Sequence, residues 1–157
     1  MDDFSLSFEG MEALVSDLGK AMELHPNAME NSLRRSGIRF KAHLRGIVKG
    51  RVRERTGKLT KGFWVSQVKG FREDMEIDFS AETKKTNPHW HLVENGHEVI
   101  KPLTRKGKRL EGGGEKTAPG FVPGIKVMPG ARKSFEPRFV AELEKARDKV
   151  LREAGLL

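Results

Sequence analysis

The chain has 157 residues, no cysteine and no tyrosine, and its 30 Lys and Arg against 22 Asp and Glu give a formal net charge of +8. A chain of this length supports about one domain with one real core, and the missing cysteine excludes disulfides, thiolate metal sites and a catalytic thiol. No apolar run approaches the ~18 residues a membrane span needs, and Asp2 and Asp3 stand where a signal peptide carries Lys or Arg, so the reading is a soluble protein not secreted by that route.

The charge is segregated along the chain. Residues 1–31 carry a net −6, 34–69 a net +11, 71–98 a net −4, 99–133 a net +7, and 134–157 are neutral. Such a division places surfaces of opposite sign on one small molecule, which suits a polyanion partner or head-to-tail contact between copies.

In chain order, Met11, Leu14, Val15, Leu18 and Met22 recur at helical spacing and predict a first helix from near Phe8 to Leu24, stopped by His25-Pro26. Pro26 then opens a second, long helix. Its apolar stripe runs Met29, Leu33, Gly37, Phe40, Leu44, Ile47 and Val48, while Arg34, Lys41, Arg45 and Lys49 follow another face. After the basic run Arg51 to Arg55, Thr56-Gly57 reads as a turn. Alternation at Phe63 to Val68 and again at Met75 to Ser80 predicts two antiparallel strands around a turn at Gly70 to Asp74. Trp90 to Val93 and Val99-Ile100 read as a helical turn followed by a third strand. From Lys101 to Arg132 the composition turns to Gly, Pro and Lys/Arg, a loop of a length that is usually functional or disordered. Finally Phe135, Phe139, Leu143, Ala146, Val150 and Ala154 descend one face of a helix with Ser134 as N-cap and Pro137 in its first turn. The whole is a single α+β domain over residues 1–157: N-terminal helices, an antiparallel hairpin or small sheet, a long basic loop at 101–132 and a C-terminal amphipathic helix. The residues expected to anchor its core are Leu33, Phe40, Leu44, Trp64, Ile77, Trp90, Leu92, Phe135, Phe139 and Leu143.

One constellation could hold a metal or run acid–base chemistry, namely His89, His91, Glu94 and His97. Two histidines one residue apart on a strand face can both ligate, but Glu94 and His97 would have to turn back through Asn95-Gly96. The reading preferred is that Trp90, Leu92 and Val93 anchor the segment while the histidines and Glu94 make hydrogen bonds or face water, with no metal or cofactor. Gly112 to Gly114 lies in a basic loop rather than between a strand and a helix, so it is no phosphate loop, and no Gly-x-Ser-x-Gly elbow occurs. The chain is read as a non-enzyme. Nucleic-acid binding is the strongest alternative from composition, because Arg34, Arg35, Arg39, Lys41, Arg45, Lys49, Arg51, Arg53 and Arg55 form one basic segment and Lys101, Arg105, Lys106, Lys108 and Arg109 another. Such cations suffice for phosphate contact, without sequence specificity.

A set of short stations along the chain carries a resemblance. They are Thr56-Gly57-Lys58-Leu59, then His91-Leu92-Val93-Glu94-Asn95-Gly96-His97, then Gly120-Phe121-Val122-Pro123-Gly124, then the helix after Ser134. In this order they resemble the neck or tail-completion proteins, the head-to-tail joining components of lambda-like, long-tailed bacteriophages and related prophage particles. A pre-helix Pro-x-Pro-Phe-like element is only loosely echoed at Met128-Pro129-Gly130, and the loop is longer than in many members.

The resemblance implies a noncatalytic virion protein. Copies would form a ring, six-fold or alternatively twelve-fold, that lines or surrounds the DNA channel between the connector or head-closure protein and the tail terminator or tail tube. It would reside at the head-tail junction of the virion, and in the host cytoplasm during assembly. Contact with DNA would be nonspecific, and no membrane would be involved. The residues expected to face neighbouring subunits or partners are Phe121 and Val122 together with the basic residues Arg34, Arg35, Arg39, Lys41, Arg45, Lys49, Arg51, Arg53, Lys101, Arg105, Lys106, Lys108 and Arg109.

Overall fold

A computed structural model describes residues 9–52, 57–81, 87, 89–98 and 120–157. The architecture is α+β: helix α1 (Glu9–Arg51), a helical turn α2 (Lys58–Lys61), strands β1 (Trp64–Val65) and β2 (Phe79–Ser80), helix α3 (Trp90–Asn95), strands β3 (Gly96–Glu98) and β4 (Phe121–Pro123), and helix α4 (Val127–Ala154). The strands form two separate two-stranded sheets, β1 with β2 and β3 with β4. The chain divides into two compact units, one of Met1–Ala42, Val65–Phe79 and Ser134–Leu157, the other of His43–Trp64 and Ser80–Lys133.

In the first unit α1 and α4 run antiparallel. Ser32 Oγ donates to the Glu142 carbonyl at 3.1 Å, Arg39 forms an ion pair with Glu142, and Phe40 meets Phe135 edge-on with ring centroids 5.3 Å apart. At the far end a Cβ on Gly155 would lie 3.3 Å from Asp17 Oδ2. Small residues permit the close approach, since Ser32 and Ser36 are buried on α1. Gly37 faces the hairpin, where an added Cβ would stand 2.8 Å from both Val65 Cγ1 and Ile77 Cδ1. Phe79 completes this cluster against Phe40 at 5.0 Å.

The hairpin arms are joined by Ser66 N–H donating to the Asp78 carbonyl at 2.8 Å and by an antiparallel bridge between Lys69 and Glu76. Asp78, by its hydrogen bond with Lys69 first and its charge second, holds the exposed Lys69 ammonium above the ordinary lysine range, and Glu76 adds to the shift.

Helix α1 is one element where two helices are expected, because Pro26 lies inside it. A proline removes one backbone hydrogen bond and disfavours the preceding turn. Here α4 packs on both sides of that position, at Asp17 and at Ser32, so tertiary packing carries the helix through. The apolar stripe expected of its second half holds: Leu44 and Val48 are fully buried, and Leu33, Phe40 and Ile47 are partly so.

Helix α4 starts at Val127 rather than Ser134, and Pro137 sits in its interior rather than in its first turn. Its buried face otherwise follows the expected positions, with Phe135, Ala146, Val150 and Ala154 buried and Phe139 and Leu143 partly buried. Two further anchors, Ile77 and Leu92, are also partly buried. Trp64 is a correction: it is 52% exposed, and its neighbour Phe63, 1% exposed, takes the core position. With only two residues in β1, a single inward position decides which aromatic ring is buried.

In the second unit Phe63 and Trp90 meet edge-on with centroids 5.1 Å apart. Asn87 fastens this region, its amide donating to the carbonyls of Leu59 and Ala81, each at 2.8 Å. The helical turn α2 occupies the place where the sequence suggests a direct turn into the hairpin.

Candidate functional site

The second unit brings two of the motif segments together. Helix α3 ends where Gly96 takes φ +89° and ψ 173°, a backbone region that only glycine occupies comfortably, and its N–H closes the helix on the Leu92 carbonyl. The chain then enters β3, which pairs antiparallel with β4 in the register Gly96 with Pro123, His97 with Val122 and Glu98 with Phe121. A Cβ on Gly96 would lie 2.5 Å from the Val122 carbonyl oxygen and 2.6 Å from the Phe121 ring. Gly124 is equally confined, because a Cβ there would collide with the Glu94 carbonyl oxygen and the Asn95 backbone. The glycines of the two segments are thus the condition of each other's close approach.

Beyond β4 the backbone stays tied to α3. Ile125 N–H donates to the Val93 carbonyl at 2.9 Å and Lys126 N–H to the Glu94 carbonyl at 3.1 Å. Lys126 adopts φ +44°, which turns the chain into α4. The first two amides of that helix are received by the Glu94 carboxylate, Val127 N–H on Oε2 at 3.1 Å and Met128 N–H on Oε1 at 2.9 Å. A carboxylate here satisfies otherwise orphaned donors and meets the positive end of the helix dipole. This cap, supplied from 33 positions upstream, accounts for the early start of α4.

Glu94 is therefore committed to a helix end and is buried, whereas His89, His91 and His97 are exposed. Among the described residues no group of three or more His, Asp or Glu could hold a metal ion. The corner presents apolar side chains outward: Phe121 is 62% exposed and Val122 44%.

The basic residues of α1 do not act as one track. Arg39 is paired with Glu142, Arg45 Nε donates to the Thr60 carbonyl at 2.9 Å, and Arg35 Nε donates to the Asn31 carbonyl one turn back at 3.2 Å. Arg34, Arg35, Lys49 and Arg51 are exposed and Lys41 is partly so. Arg53, Lys101, Arg105, Lys106, Lys108 and Arg109 lie outside the described residues, as does most of the long loop. The described part of that loop is ordered, since 121–123 form β4 and 127–132 already belong to α4.

A surface that sequence reasoning treated only as a helix signal also emerges. Met11, Leu14, Val15, Leu18 and Met22 are all between 47% and 65% exposed. Beside it lies an apolar hollow of about 350 Å³, with Leu18, Met22, Pro26, Val150 and Leu156 in its wall and Arg72 and Arg147 at the same site. The helical spacing is visible in the sequence, but a stripe does not reveal whether the same chain covers it. No helix among the described residues is long and apolar enough to cross a membrane. No protein-family model, curated protein or solved structure matches the chain.

Proposed function

We propose that this chain is a structural joining protein of a tailed-phage particle, a neck or tail-completion component that assembles as a ring at the head-tail junction. The observation that carries the reading is the β3–β4 corner. Two of the four stations that carry the family resemblance, 91–97 and 120–124, pair with one another, fix each other through Gly96 and Gly124, and turn Phe121 and Val122 outward. Exposed apolar side chains on a fixed corner suit contact with a neighbouring subunit. The exposed stripe of α1 adds a second surface of the same character.

Nonspecific nucleic-acid binding is less well supported, because Arg39 and Arg45 are engaged within the fold and phosphate tracking relies on cations free to meet the backbone. In the ring, the remaining exposed cations would face acidic protein surfaces or DNA in transit.

The reading is tested in the particle. Deleting the gene from the phage or prophage that encodes the chain should leave filled heads and finished tails unjoined in electron micrographs, and supplying the protein should restore joined, infectious particles. Normal yields of joined particles without the chain would refute the assignment.

A further inference from the structure

We propose that copies associate head to tail through α1, the apolar acidic face at its N-terminal end seating on the basic face around Ile38 of a second copy. The inference rests on the self-assembling form of the function proposed above and names the surfaces involved.

The donor face is Met11, Leu14, Val15, Leu18 and Met22, which are exposed along one side of the helix and would be an unusual stripe to leave in water. Glu12 and Glu23, one turn-related edge away, are exposed beside it, and residues 1–31 carry a net −6. At Leu18 and Met22 the stripe meets the hollow that Arg72 and Arg147 also line.

The receiving face lies farther along the same helix. Ile38 is 56% exposed, one turn from Arg34 and Arg35 on one side and from Ala42 on the other, all exposed. It offers an apolar contact framed by cations, the charge complement of the donor face.

Charge also disfavours one pairing. A two-fold pairing of donor faces would bring Glu12 and Glu23 of one copy against those of another, and like charges across an interface are strongly unfavourable. A donor face on a receiving face joins unlike surfaces, and with copies stacked in one direction the contact is heterologous. Each copy uses one surface of each kind, and such contacts repeat until a ring closes or a filament grows.

The test uses two variants of the full chain, Glu12→Lys with Glu23→Lys and Arg34→Glu with Arg35→Glu, followed by sedimentation velocity, with thermal unfolding to verify that both remain folded. The wild-type protein is expected to gain mass with concentration and to lose it as salt rises. Each variant alone should require a concentration higher by about tenfold or more to associate. An equimolar mixture of the two should regain association, because each supplies the face the other has lost. Val15→Ser, which removes apolar contact without changing charge, should weaken association in the same direction. The proposal is overturned if either charge variant associates like wild type, if the mixture stays apart where wild type associates, or if the wild-type chain is a single-chain species at every concentration. That last result would remove this interface while leaving the joining role to the particle experiment above.

Discussion

The Glu94 carboxylate accepts the Val127 N–H at 3.1 Å, so a buried acid on α3 caps a helix that begins 33 residues later in the chain. Replacing Glu94 by Ala leaves the Val127 and Met128 amides without their acceptor. Charge-assisted bonds of this kind contribute roughly 1.5–3 kcal/mol each, and a loss of about 3 kcal/mol in unfolding free energy is expected. Glu94→Gln keeps an acceptor oxygen without the charge and should lose about half as much. Urea titration reads both, and an unchanged midpoint for Glu94→Ala would show that the cap does not hold α4.

Gly96 and Gly124 should be intolerant even of alanine. At Gly124 the added methyl group meets the Glu94 and Asn95 backbone, which has no side-chain freedom to yield, and at Gly96 the backbone itself is in the left-handed half of conformational space. Each substitution should cost about 2 kcal/mol or more. In hydrogen exchange, Ile125 and Lys126, whose amides reach α3, should lose protection first. Protection retained at both would contradict the geometry.

The two tryptophans should behave oppositely. Trp90 is 5% exposed and stacked edge-on with Phe63, while Trp64 is 52% exposed. Trp90→Ala should destabilise by about 3–5 kcal/mol, whereas Trp64→Ala should change stability by about 1 kcal/mol or less. Fluorescence adds an independent reading: Trp64→Phe leaves the buried indole and shifts emission to the blue, and Trp90→Phe shifts it to the red.

Ser32 and Ser36 are both buried on α1, yet only Ser32 has a hydrogen bond to α4, and Ser36 Oγ has no partner among the described residues. Ser32→Ala should cost about 1 kcal/mol, while Ser36→Ala should be neutral or stabilising, because it removes a buried hydroxyl that gains nothing from its neighbours. Equal losses in the two variants would argue against this difference.

Much of the fold can be read from local pattern. The stripe from Leu33 to Val48, the alternation from Met75 to Phe79, and the face from Phe135 to Ala154 all depend on periodicity, which side-chain geometry imposes directly. Two of the misses have long-range causes and one a local cause. Pro26 reads as a stop because the sequence does not show α4 packing on either side of it, and Ser134 reads as a start because the true cap, Glu94, belongs to another element. Trp64 exchanges places with Phe63 because β1 is too short for alternation to fix its inward side. At the candidate site, the sequence marks Glu94 and Gly96 as notable but suggests a ligand or a turn for them. Their joint role becomes visible only once 120–124 is paired against 96–98.

The central claim, assembly of copies into a joining ring, is tested most directly by light scattering of the purified chain over a range of protein and salt concentrations, with and without a short DNA duplex. Mass that rises with protein concentration, falls with salt and is indifferent to the duplex is the predicted result. A single-chain mass that changes only when DNA is added, and reverts steeply with salt, would contradict it.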